Sequence, residues 1–223
     1  MTRSQEILQE LQGIKKAQPE NTTTAYGFAA IPARHAVERG NWQEAAALQV
    51  APADFPWQQF GWCEAITHFA RGLGAARSGK VAQAHGSLQR LEQLRDADRA
   101  ANRKYTADQI EIQRLAVAAW IAHAEGKSSE ALASMRASAE LEDATEKDNV
   151  SPGAIIPARE LLGQLFLIMN QPRAALQELE AVLARIPNRR NALLHAVEAA
   201  KQAGDQEKVR QYQKQLESLL HAG

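Results

Sequence analysis

A short signature recurs five times along this chain, and internal recurrence restricts the fold more than any local propensity does. Gly40-Asn41-Trp42-Gln43-Glu44-Ala45, Gly79-Lys80-Val81-Ala82-Gln83-Ala84 and Gly126-Lys127-Ser128-Ser129-Glu130-Ala131 each place a turn before the start of a helix-forming run. Asn170-Gln171-Pro172 and Gly204-Asp205 do the same, with Ala175 and Val209 in the slot held elsewhere by Ala45, Ala84 and Ala131. The turns are 39, 47, 44 and 34 residues apart. Helix, turn, helix, repeated at irregular intervals, is the expected organisation. Alanine is abundant, and it is both the best intrinsic helix former and small enough to let helices approach closely. No stretch alternates apolar and polar residues over a strand's length, so the expected class is all-α.

The clearest unit spans residues 156–189. Arg159, Leu162, Gly163, Phe166, Ala175, Leu179 and Pro187 fall at the intervals of the W-x2-L-G-x2-Y…A-x3-F…P pattern of about 34 residues. Gly163 and Ala175 are small where two antiparallel helices would cross, Leu162, Phe166 and Leu179 would fill the seam, and Pro187 would end the second helix. Pro172 stands near a first helical position, where a missing N–H costs nothing. On these residues the chain resembles the tetratricopeptide repeat family, departing from it at Arg159 and Val182. The resemblance covers most of residues 26–220 and is strongest over 156–223; the chain also resembles the C-terminal part of longer bacterial tetratricopeptide proteins.

That resemblance implies an α-α superhelix of five irregular helix pairs, at about 26–50, 65–98, 112–145, 156–189 and 190–223, forming one repeat domain over residues 21–223. Residues 1–20 would add a capping helix through Ile7, Leu8, Leu11 and Ile14, ended by Pro19 and Asn21. Val209, Tyr212, Leu216, Leu219 and Leu220 form the corresponding stripe at the other end. Pro32 implies either a short helix starting there or a longer helix kinked at it. The segment 51–64 carries two prolines and four aromatics, and it is expected to fill the gap left by a short second helix. Residues 140–153, with Glu140, Glu142, Asp143, Glu146 and Asp148 before Ser151-Pro152-Gly153, read as a helix end running into a surface loop.

The resemblance further implies a concave groove for a protein or peptide, lined by the first helix of each pair. The positions at which the family faces its ligands carry over to Arg34, then Phe69, Leu73 and Arg77, then Gln113, Trp120 and His123, then Glu160, Gln164 and Leu167, then Asn191, Glu198 and Lys201. Trp120, Phe69 and Arg77 are the expected anchors, since aromatics and arginines carry most interface energy. Burial in the core is the competing expectation for both aromatics. A regulatory domain closing on a small ligand or peptide signal, in a pocket of His123, Trp120 and Glu160, is the alternative; a helical enzyme is the third.

Other chemistry finds little to build on. Lys+Arg and Asp+Glu balance at 26 each, which argues against nucleic acid. The clusters Arg99, Arg103, Lys104 and Arg185, Arg189, Arg190 read as solvated helix ends. Cys63 is the single cysteine, and a spacing of five residues turns it about 140° away from His68 around a helix, so no nucleophile–base pair is expected. The six histidines show no helical metal-site spacing, so no metal or other cofactor is expected. No signal-peptide core and no run of about 18 apolar residues occurs, which gives a cytoplasmic, membrane-free expectation.

Overall fold

A computed structural model describes residues 3–14, 16–145 and 153–221. Its elements are helical, and among the described residues no strand occurs. After α1 (Arg3–Gly13) the helices come in pairs: α2 (Thr22–Glu38) with α3 (Trp42–Ala47), α4 (Gly61–Arg77) with α5 (Val81–Ala100), α6 (Lys104–Ala124) with α7 (Ser128–Ala144), α8 (Ala158–Ile168) with α9 (Pro172–Arg185), and α10 (Arg190–Ala203) with α11 (Gln206–His221). The five turn residues read from sequence each adopt left-handed backbone: Gly40, Gly79, Gly126 and Gly204 at φ 63, 78, 78 and 77°, and Asn170 at 56°. Such a residue ends a helix and returns orphan carbonyls to the next N–H groups. Asn102, at φ 55°, performs the same job between α5 and α6.

The chain forms two compact units, residues 1–156 and 157–223. In the first, α2 packs on α4 and α4 on α6, while α3 packs on α4, and α5 packs on both α4 and α6. Alanines 25, 29, 33, 36, 45, 65, 70, 75, 116 and 119 are nearly or wholly inaccessible, and Leu73, Leu91, Ile110, Val117 and Met135 fill the space between them. Helix α2 runs unbroken through Pro32 and is capped by Asn21, whose side chain accepts from the Thr24 N–H. α1 packs on α2, but Ile7 and Ile14 stay exposed. α3 is only six residues long, and the chain after it folds back as an aromatic plug. Phe55 and Trp57 are buried, Phe55 lies within 5.5 Å of Phe28, Trp57 and Phe60, and Trp57 Nε1 donates to the Pro52 carbonyl.

In the second unit α8 packs on α9 and α10, α9 on α10, and α10 on α11. A Cβ on Gly163 would sit 2.8 Å from Leu179 Cγ and 3.4 Å from the Ala175 carbonyl oxygen, so the small residues lie at the α8–α9 crossing as their spacing predicts. Leu162, Phe166, Leu179, Val209 and Tyr212 are buried, and Leu216 and Leu219 are half-buried. Pro157 caps α8 from just outside it. The acidic segment holds helix through Ala144; Glu146, Asp148, Ser151 and Pro152 lie outside the described residues, as does the Leu220 side chain.

Candidate functional site

Two glycines on α4 determine what surrounds Arg77. A Cβ on Gly74 would lie 2.5 Å from the Ala46 backbone nitrogen and 2.6 Å from the Trp42 carbonyl oxygen, so α3 touches α4 backbone to backbone. On Gly72 the same atom would lie 2.8 Å from Val117 Cγ1, which brings α6 against the other side. One turn beyond Gly74 comes Arg77, and one turn beyond Val117 comes Trp120. The Arg77 guanidinium carbon is therefore held 3.8 Å from the Trp42 ring centroid and 3.9 Å from that of Trp120. The negative faces of both indoles meet the cation. Burial pushes the guanidinium down to about 9, so it keeps its charge at neutral pH. The His123 ring stands edge-on to Trp120 at 5.9 Å. Trp120 Nε1 and, two turns earlier on α6, Gln113 Oε1 are buried atoms with no hydrogen-bond partner among the described residues.

The candidate positions divide by burial. Phe69, Leu73, Trp120, Glu160 and Gln164 are at most 5% exposed, so none of these side chains can touch a docked chain in this conformation. Apolar Phe69, Leu73 and Trp120 are drawn inside because their stripes are the faces on which neighbouring helices pack. Glu160 is buried because Arg189 ion-pairs with it. That pairing also corrects the reading of Arg189 as a solvated cation, whereas Arg103, which binds the buried Asp98 at 2.5 Å, stays exposed as that reading expects. Arg34 holds the carbonyls of Gly153 and Ala154, each at 3.3 Å, tying α2 to the segment that follows α7. Arg77, Gln113, His123, Leu167 and Asn191 are half-buried; Glu198 and Lys201 are exposed, with Gln202 Nε2 donating to Glu198 at 2.8 Å. Within the first unit, then, Arg77, Trp120 and His123 gather where α4 meets α6, and Gln113 lies two turns earlier on α6. Trp42 belongs with them although the ligand-facing spacing omits it; its place directly after the first turn was the available signal.

A second cluster joins α4 to α5. Arg90 grips Glu64 with two hydrogen bonds, at 2.8 and 3.1 Å, and His68 Nε2 lies 3.2 Å from Glu64 Oε1. Arg71 Nη2 lies 2.8 Å from His68 Nδ1 and can only donate, so Nδ1 accepts and the ring proton sits on Nε2, facing Glu64. Arg71 Nε completes the chain by donating to Ser87 Oγ at 3.3 Å. Burial pushes Glu64 up, but hydrogen bonds from His68 and Arg90 and the Arg90 charge reverse this and hold it at about 2. Burial, aided by the Arg71 charge, pushes His68 down against the opposing pull of Glu64. Every member of the cluster is spent on another member. Cys63 is fully buried one residue before Glu64, its Sγ 3.9 Å from the Thr22 carbonyl, and burial pushes its thiol up to about 12. Among the described residues no group of His, Cys, Asp or Glu is placed to hold a metal, and no helix is long and apolar enough to cross a membrane. Compared with models of known protein families and with curated proteins, the chain gives no match.

Proposed function

We propose that this chain is a protein- or peptide-binding module of the tetratricopeptide type, in which an extended segment or helix docks along the first helices of successive pairs. The neighbour order within each unit supports the repeat reading: α2 packs on α4, α4 on α6 and α8 on α10, while the second helices α3, α5 and α9 each pack on the first helix that follows. One observation carries the choice of docking place, the Arg77 cation clamped between Trp42 and Trp120. Stacking on two indoles removes rotamer freedom from a long side chain, and pre-ordered Arg–aromatic groups are what strong interface positions are built from. Gln113 and His123, half-buried on α6, are the side chains that a docked segment would touch beside it. The reading assigns no catalytic residue and no cofactor.

The test is a peptide-array screen on the intact chain, followed by titration of each hit. Gln113→Ala and His123→Ala should each weaken a genuine hit about fivefold or more, the threshold of roughly 1 kcal/mol that separates contributing from neutral interface residues. Lys16→Ala, on an exposed site away from α6, should leave it unchanged. Hits that bind both α6 variants at wild-type strength would remove the assignment.

A further inference from the structure

At the N-terminal end of the first unit lies a cavity of about 460 Å³. Pockets for small organic molecules run from roughly 300 to 1,000 Å³ and are mainly apolar, with a few polar groups that orient the ligand. This one has three walls of different origin. α1 supplies Leu8 and Leu11, α2 supplies Phe28 and Pro32, and the chain after α3 supplies Leu48. Phe28 is fixed from behind by Phe55, at 5.5 Å and edge-on, so that wall is already packed in place. The α1 wall is thinner: Ile14 lines the cavity yet remains 40% exposed. Apolar surface on three sides, left wet, favours an occupant that removes it from water.

Its charge is one-sided. Asp54 is the one ionisable side chain among the described lining residues, and no cation stands among them to meet a carboxylate. The geometry points to a binding site for a small amphiphile with a saturated hydrocarbon body and a primary ammonium head, the body between α1 and α2 and the head at Asp54. A fatty-acid head group would face Asp54 with no cation among the described lining residues to pair with it. The site is separate from the Arg77 surface and stands or falls independently of the docking reading.

Saturation-transfer NMR and calorimetry with n-octylammonium, n-octanol and n-octanoate on the intact chain test it. Saturable binding is expected, tightening about fourfold for each added methylene, from ~0.8 kcal/mol per buried CH2. The ammonium should bind about two- to fivefold more tightly than the alcohol, the range of a solvent-exposed ion pair, and the carboxylate most weakly. Asp54→Asn should bring ammonium and alcohol to equal affinity. Ala47→Trp and Ala53→Trp, at exposed lining positions that tolerate bulk, should each abolish binding while helical circular dichroism is kept. The proposal is overturned by octanoate binding as tightly as octylammonium, by affinity unchanged in both tryptophan variants, or by no saturable binding at all.

Discussion

Glu64 shows how a single buried carboxylate couples to its surroundings. Its side chain is 7% exposed, and it remains ionised because Arg90 and His68 direct three donors at it. In the unfolded chain those donors are gone and the group returns to its ordinary value of 4.5, against about 2 when folded. The unfolded state therefore binds the proton first as pH falls, and stability present above about pH 5 is lost on the way toward pH 2. His68 acts in the same direction at higher pH. Its folded value is depressed, so the unfolded ring protonates first below about 6.5 and the folded state loses ground from there. Urea unfolding at pH 7, 5.5 and 4 should show a continuous fall. The full Glu64 share is on the order of 1–3 kcal/mol, the lower end reflecting solvent around the partly exposed Arg90, and less than about 1 kcal/mol of it is lost by pH 4, the rest falling away toward pH 2. Glu64→Gln should be less stable than wild type at pH 7 and should flatten the curve below pH 5. An unchanged slope there would show that the carboxylate titrates alike in both states.

At the scale of elements, closeness of approach sets what each helix can carry. Gly74→Ala places a methyl 2.5 Å from the Ala46 nitrogen and 2.6 Å from the Trp42 carbonyl, both backbone atoms that cannot swing aside. α3 must then move off α4, taking Trp42 from Arg77. The expected loss is about 2–3 kcal/mol, near the top of the range for overpacking, together with a changed tryptophan emission spectrum. Gly163→Ala meets Leu179 Cγ at 2.8 Å, a side chain with some freedom, and should cost about 1–2 kcal/mol. Equal losses in denaturant titrations would argue that the backbone contact at Gly74 is soft. The same contrast explains what sequence reading reached. Each turn before a second helix carries its own local chemistry, a glycine or asparagine in left-handed backbone, so all five could be placed from single residues. The small residues at Gly163 and Ala175 follow from periodicity within one pair. The Trp42–Arg77–Trp120 stack does not, because it depends on the register of three elements set by Gly72 and Gly74. Ligand-facing spacing named Phe69, Leu73 and Trp120 without distinguishing a face open to partners from one covered by the next helix; burial decides that, and it is a property of neighbours.

Over the whole molecule, the two units have separate cores: the first is built from α1–α7 and the second from α8–α11. Each unit packs chiefly within itself, so a perturbation in one is felt there first. The chain provides a natural separation of signals. All four tryptophans, Trp42, Trp57, Trp62 and Trp120, lie in residues 1–156, whereas helical circular dichroism reports both units. Unfolding followed by tryptophan emission should therefore trace the first unit alone, and the dichroism midpoint should differ from it, which is the standard sign that a single two-state transition does not apply. Gly163→Ala sharpens the test, since it strikes the second unit at the α8–α9 crossing. It should shift the dichroism curve to lower denaturant and leave the emission midpoint in place. If both curves move together by the same amount, the chain unfolds as one cooperative body.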